Sequence, residues 1–230
     1  EMVRRTVVEY ARAGAAGLHL EDQKFPKRCG HLDGKELVPA DHMVEKVEWA
    51  ARAAREVSRC QGVEVSRENA RLDPLDTLSP RHLDTFIICA RTDARGVEGF
   101  EKAVERAKLY VEAGADMIFP EGLTTEAEFG KFAEQLLAMV PSERRVYLLA
   151  NMTEFGKTPL IPLARFAELG YDCVIYPVSL LRVAMGAVTR ALEQLRDTGS
   201  VEPFLGQMQT RKDLYDLIGY TPGKPWEFMG

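Results

Sequence analysis

Short apolar runs, each about the length of one strand, alternate along this chain with longer stretches in which apolar residues return every third or fourth position. Three segments share one layout: RAGAAGLHLED (Arg12–Asp22), EAGADMIFPEG (Glu112–Gly122) and AELGYDCVIYP (Ala167–Pro177). In each, helix-forming residues run to a glycine (Gly14, Gly114, Gly170), a short link follows, and an apolar run comes next. The glycine marks a left-handed helix C-cap. The apolar run suits a strand buried on both faces of a parallel sheet. TFIICAR (Thr85–Arg91) and RVYLLAN (Arg145–Asn151) predict two further strands.

Helices fill the intervals. Met43, Val47, Ala50, Ala54 and Val57 form one stripe after Pro39, and Phe100, Ala103, Val104, Ala107 and Val111 form a second. Thr125 with Glu128 has the spacing of a capping box. Val178–Leu195 reads as a long helix after the last strand. The alternation implies parallel strands joined by right-handed crossovers. An open doubly wound sheet and a (β/α)8 barrel both satisfy it. No G-x-G-x-x-G follows a strand, and polar residues stand at the end of every strand: Glu21 and Asp22, Arg91 to Asp93, Glu121, Asn151 and Thr153, Tyr176. Barrel enzymes draw their chemistry from many strand tips at one face, so the barrel is the expected fold. Five strands are countable, and the chain opens partway into a helix. It therefore reads as the later part of a barrel, with residues 1–230 in one domain. Arg59–Pro80, polar and without period, reads as a surface insertion, and residues 200–230 as a helical tail.

Composition narrows the partners. The 230 residues carry a formal net charge of −5, with no basic stripe, which argues against nucleic acid. No apolar run has the length of a membrane span, and the N-terminal residues carry charge where a signal peptide is apolar. Four scattered cysteines without a CxxC pair fit free thiols in a reducing compartment, and a cytoplasmic or mitochondrial-matrix location is expected.

The candidate chemistry gathers on FPKRCGHLDGK (Phe25–Lys35), a glycine-bearing loop after the first strand. Cys29 lies among Lys27, Arg28, Gly30 and His31, the electropositive setting that a reactive thiol needs; the plain alternative is an inert loop cysteine. Glu21 and Asp22 are either loop caps or hard ligands for Mg2+. Arg91 is either an ion-pair partner of Asp93 or Glu121, or a guanidinium fork for a substrate carboxylate. His19 is expected as a packed barrel residue. Asn151, Thr153 and Thr158 suit a polar-ligand loop as well as ordinary turn chemistry.

Seven motifs then occur in a fixed order: GLHLEDQ, KRCGH, ARTDA, FPEG, ANMTEFGKTP, YPVSLLR and MQTRKDLYDLIGY. Together they resemble the methylisocitrate lyases of the isocitrate lyase and phosphoenolpyruvate mutase superfamily. The resemblance implies a (β/α)8 barrel that cleaves 2-methylisocitrate to pyruvate and succinate with Mg2+, in the methylcitrate cycle of propionate catabolism. Relatives that cleave isocitrate or dimethylmalate, or hydrolyse oxaloacetate, share the framework; an inactive truncated paralogue is the remaining alternative. By the same resemblance, Cys29 is the acid and Gly30 and His31 line the substrate. Arg91, Glu121, Asn151, Thr153, Arg182 and Arg211 bind it, and Glu21 belongs to the metal cluster. Homo-oligomers that exchange C-terminal helices are implied as well. The family's D-x-D metal strand and its Ser-Gly-Gly segment are not in the sequence, which implies an incomplete chain.

Overall fold

The computed structural model describes residues 1–30, 32–60, 86–142 and 144–225. They divide into two compact units, Glu1–Pro177 and Val178–Gly230.

In the first unit five strands alternate with helices: α1 (Met2–Arg12), β1 (Gly17–Glu21), α2 (Ala40–Cys60), β2 (Ile87–Thr92), α3 (Ala94–Val97), α4 (Phe100–Glu112), β3 (Met117–Pro120), α5 (Glu126–Leu137), β4 (Tyr147–Asn151), α6 (Leu163–Glu168) and β5 (Cys173–Ile175). Each strand pairs in parallel with the next, in the order β1-β2-β3-β4-β5. A doubly wound sheet reverses its strand order at a switch point. Unbroken consecutive order is that of a barrel wall, and the chain supplies five successive units of one.

Register fixes which face does what. Leu20, Ala90, Ile118 and Leu148 stand side by side across four strands, and all pack in the helix-covered core. One residue further along, Glu21 faces Arg91 and Arg91 faces Phe119 on the opposite side of the sheet. The period of two in a strand thus separates a greasy outer face from an inner one that ends in charge at the strand tips. The core is closed by Phe129, Phe166 and Tyr171, whose rings meet edge to face with centroids 5.1–5.6 Å apart.

The three repeated glycines do what their sequence context predicts. Gly14, Gly114 and Gly170 have φ of 87°, 109° and 88°. In each case the next residue's N–H donates five residues back, to Tyr10, Tyr110 and Phe166, while the glycine N–H donates to Ala11, Val111 and Ala167. This double bond pattern ends the helix and turns the chain into the strand. Two of the strands then open on an aspartate that holds the neighbouring strand: Ile88 N–H donates to Asp116 and Leu148 N–H to Asp172, both at 2.9 Å. A β-carbon on Gly114 would lie 2.9 Å from Ala51 Cβ, whereas one on Gly14 meets nothing within 4 Å. Gly14→Ala should therefore cost about 1–2 kcal/mol for the left-handed backbone alone. Gly114→Ala should cost about 1 kcal/mol or more beyond that, through overpacking against α2. Equal urea-unfolding shifts for the two variants would contradict this.

Some sequence-level expectations need correction. Thr125 Oγ1 accepts from Glu128 N–H at 3.1 Å, but the glutamate does not complete the capping box. Its Oε2 accepts instead from Thr124 N–H at 2.8 Å and from Arg95 Nε at 3.1 Å, because a strong cation lies within reach. His19 is open to solvent, with its ring edge-on to Phe119, and is not the packed residue expected. Of the expected insertion, Arg59 and Cys60 belong to the end of α2; the rest lies outside the described residues.

The second unit contains α7 (Ser179–Thr198), a 3-10 turn (Glu202–Gln207) and α8 (Arg211–Leu217). Here a full capping box forms: Thr210 Oγ1 accepts from Asp213 N–H and Asp213 Oδ2 accepts from Thr210 N–H, both at 3.1 Å. Among the described residues no helix is long and apolar enough to cross a membrane.

Candidate active site

The tips of β1 to β4 carry one continuous polar cluster with Arg91 at its centre. Arg91 Nε donates to Asp93 Oδ2 at 2.9 Å and lies 3.2 Å from Glu21 Oε1, and Arg91 Nη2 is 3.3 Å from Glu121 Oε2. The guanidinium carbon also stands 4.8 Å from the centre of the Phe119 ring. Asn151 Nδ2 donates to Glu121 Oε2 at 3.1 Å, so β4 joins the same network. The side chains of Asp93 and Glu121 are 0% and 1% exposed, and that of Arg91 is 10% exposed. Burial by itself would push the Asp93 carboxyl up; hydrogen bonding and charge from Arg91, with Lys35 adding to them, hold it below the ordinary carboxylate range. For Glu21 the balance goes the other way. Burial raises it, and Lys27 offsets only part of the effect.

The loop that carries Cys29 lies against these tips. Gly30 shows how closely: a β-carbon there would be 2.7 Å from Glu121 Oε1 and nearer still to its Cγ. Only a residue without a side chain fits. Cys29 is the residue before it and is exposed. The loop is held from within. Gln23 Nε2 donates to Arg28 O and Arg28 N–H donates to Gln23 Oε1, each at 2.9 Å, and Leu32 N–H donates to Cys29 O at 2.9 Å. Lys157 on the β4 loop reaches Asp33 Oδ1 at 2.8 Å. Gly30→Ala should displace the loop from Glu121, itself held by Arg91 and Asn151. Turnover should then fall at least tenfold with little change in thermal stability; unchanged kcat and KM would show that the loop's contact with Glu121 is incidental.

Several expected roles are redistributed. The sequence presents the cations around Cys29 as the electropositive setting of its thiol. Instead, Lys27 binds Glu21 Oε2 at 2.6 Å, Lys35 binds Asp93 Oδ1 at 3.1 Å, and Arg28 Nη1 donates to Asp33 O at 3.3 Å. Protein carboxylates and a carbonyl take them up, and a buried acid must be compensated. Asp22 separates from Glu21 completely. It is fully buried and accepts from Thr92 Oγ1 at 2.7 Å, Tyr110 OH at 2.8 Å and Asp93 N–H at 2.9 Å. Burial raises its pKa against those bonds. Arg106, 3.6 Å from Asp22, is clamped by Glu98 and donates to Val38 O at 3.0 Å. These residues brace the β2 tip from behind. The one sequence signal for them was an arginine inside the apolar stripe of α4. Thr158 donates to Leu123 O at 2.6 Å, tying the loop after β4 to the one after β3, while Thr153 is buried at the mouth of the β4 loop. Arg182, on α7, and Arg211, the first residue of α8, belong to the second unit. His31 lies outside the described residues.

A divalent cation finds no ready cage here. Among the described residues no three His, Cys, Asp or Glu side chains are grouped to hold a metal. Glu21 Oε1 accepts from Gln23 Nε2 at 2.7 Å and its Oε2 is taken by Lys27, so the described residues do not by themselves fit Mg2+. One acceptor does point to a ligand: Asn151 Oδ1 is buried and takes no hydrogen bond from the described residues. Leaving such an atom unpaired costs about 1–3 kcal/mol. A donor on a bound molecule would satisfy it.

Comparison with known proteins agrees with this geometry. A match to the phosphoenolpyruvate phosphomutase family spans residues 1–196. The chain is 48% identical over 216 residues to the probable 2-methylisocitrate lyase 1 of Corynebacterium glutamicum, covering 94% of this chain and 60% of that protein. It is 46% identical over 218 residues to 2-methylisocitrate lyase of Aeropyrum pernix, covering 95% and 59%. Among solved structures, 2,3-dimethylmalate lyase, a PEP mutase/isocitrate lyase superfamily member, superposes with a TM-score of 0.72 at 32% identity, over 95% of this chain and 61% of that one. The chain thus spans about three fifths of the length of the curated relatives it matches. With the barrel order of its strands, the charged cluster at their tips and a family match over most of its length, the chain belongs to the phosphoenolpyruvate phosphomutase family.

Proposed function

We propose that this site cleaves 2-methylisocitrate to pyruvate and succinate by a retro-Claisen reaction. The observation that carries the reading is the seating of the Cys29–Gly30 loop directly on Glu121, inside the network centred on Arg91. It sets the residue next to the thiol against a carboxylate that Arg91 holds. The names of the relatives at 46–48% identity support the choice of substrate.

In this reaction the substrate hydroxyl gives its proton to a base and its oxygen becomes the keto oxygen of pyruvate. The electron pair of the broken C–C bond passes to the succinate half, where it is delocalised into a carboxylate. The Cys29 thiol then gives its proton to that carbon, and the thiolate regains one from the base or from solvent. Closure of the loop over bound substrate would exclude water from the thiol, exposed as the loop now stands, so that the thiol and not bulk solvent delivers the proton. Asn151, through its open acceptor, and Thr153 would orient the substrate, with Gly30 and His31 lining its carboxylate.

Charge sets a further requirement. Glu21, Asp93 and Glu121 are matched by Lys27, Lys35 and Arg91, so acids and cations balance before anything binds. A tricarboxylate needs additional positive charge. The proposed source is a magnesium ion, with Glu21 as this chain's carboxylate to it and further ligands outside the described residues. EDTA should abolish turnover and added magnesium restore it. Homo-oligomers built through the second unit, which exposes Leu180, Val183 and Leu217, belong to the same proposal and can be tested by sedimentation.

The deciding assay offers 2-methylisocitrate, isocitrate, 2,3-dimethylmalate and oxaloacetate to the polypeptide carrying this sequence. Pyruvate and succinate should appear from the first with kcat/KM at least tenfold above the others. Faster turnover of any of the others would replace the proposed substrate.

A further inference from the structure

Lys35 enters the sequence reading only as one of the cations of the Cys29 loop, yet its side chain is 4% exposed and enters the centre of the site. Its Nζ donates to Asp93 Oδ1 at 3.1 Å and to the Gly30 carbonyl oxygen. The neck of the Cys29 loop is a short antiparallel ladder: Lys24 N–H donates to Glu36 O and Val38 N–H to Asp22 O, each at 2.8 Å, with Gln23 bridging Leu37. Lys35 stands just inside that neck and turns back toward the middle of the loop. It passes Gly96, where a β-carbon would come within 3.1 Å of Nζ. Gly30 is therefore gripped from two sides, by Lys35 at its carbonyl and by Glu121 at its α-carbon.

The other tethers differ in kind. Gln23 and Lys27 fasten the loop before Cys29, and the Lys157–Asp33 pair beyond it is exposed, where an ion pair contributes little. Lys35 supplies the buried, charge-assisted tether after the thiol. An ammonium can serve a carboxylate and a carbonyl at once, which no neutral side chain of that length does. A buried ammonium carries a desolvation cost, so its presence calls for a role.

We propose that Lys35 is a positioning residue: it pins the Gly30 carbonyl to Asp93 and so sets where the Cys29 thiol stands over the strand tips. The proposal rests on the reading of Cys29 as the proton donor, but its first test does not. Cys29 is already exposed, so deuterium labelling of the loop's backbone N–H groups, those of Arg28 and Leu32 among them, is read by peptide mass spectrometry in the absence of substrate and measures how freely the loop moves. In Lys35→Met the labelling rate should rise at least fivefold, with the far-UV circular dichroism of the parent. In the turnover assay kcat should fall at least tenfold while KM stays within about threefold. Gly96→Ala, which pushes on Nζ without removing its charge, should move both measurements the same way by less, and it decides the matter if Lys35→Met does not fold. An unchanged labelling rate overturns the tether whatever the reaction is. Faster labelling with unchanged kcat overturns its role in positioning the acid. If the parent shows no turnover at all, the functional reading has failed and the labelling rate alone judges Lys35.

Discussion

Cys29→Ser is expected to reduce turnover of 2-methylisocitrate by about 10²- to 10⁴-fold, the range that a positioned general acid contributes. A serine hydroxyl holds its proton far more tightly than a thiol and cannot deliver it to carbon on the same time scale. The side chain is exposed and Gly30 stays in contact with Glu121, so the fold has no reason to change. Thermal unfolding should therefore match the parent while kcat collapses. The structure also says what should survive. Arg91, Glu121 and Asn151 are untouched, so substrate should still bind, and calorimetry on the serine variant should return a dissociation constant near the parental one. If the variant retains turnover, the acid is some other group.

Arg91→Met should produce the largest loss of stability. The guanidinium reaches three acids whose side chains are 12%, 0% and 1% exposed, namely Glu21, Asp93 and Glu121. Removing it leaves buried charge without its main partner, at about 3–5 kcal/mol. Arg91→Lys should recover less than half of this, because one ammonium cannot fork between carboxylates on separate strands.

The loss should depend on pH with a definite sign. In the parent, the Asp93 carboxyl is held low, so its stabilising contribution is complete above the unfolded value of about 3.9 and is lost as pH falls through the lower folded value. Glu21, held high by burial, has the opposite sign: its contribution is complete below the unfolded value of about 4.3 and declines as pH rises through the folded one. Without Arg91 the orphaned acids gain by protonating. The gap between parent and Arg91→Met in urea unfolding should thus be widest near pH 7 and should narrow toward pH 4. A gap that widens on acidification would mean that the acids are not held apart by this guanidinium.

The legible part of the site was the part written as strand endings. Glu21, Arg91, Glu121 and Asn151 each follow an apolar run, and strands in one parallel sheet must bring their ends to one face. Cys29 and Gly30 stood out as a thiol and a glycine in a charged loop. What stayed hidden was pairing. Lys35 and Asp93 are 58 residues apart, and Asp22 and Tyr110 are 88 apart, and no local period encodes contacts of that separation. Asp22 looked like the twin of Glu21 because neighbours in sequence look alike. A strand end sends successive side chains to opposite faces, so one acid entered the site and the other went beneath it.

The amino-acid sequence alone determined the five strands, their parallel direction, the glycine-capped helix ends and the residues at the strand tips, because periods of 2 and 3.6 and left-handed glycines act within a few residues. Only the tertiary structure decided which cation meets which acid, that Arg91 is shared among three carboxylates, and that Lys35 reaches Gly30. Those choices depend on distances between elements far apart in the chain, and electrostatic energy is set by distance and burial, which a sequence does not carry.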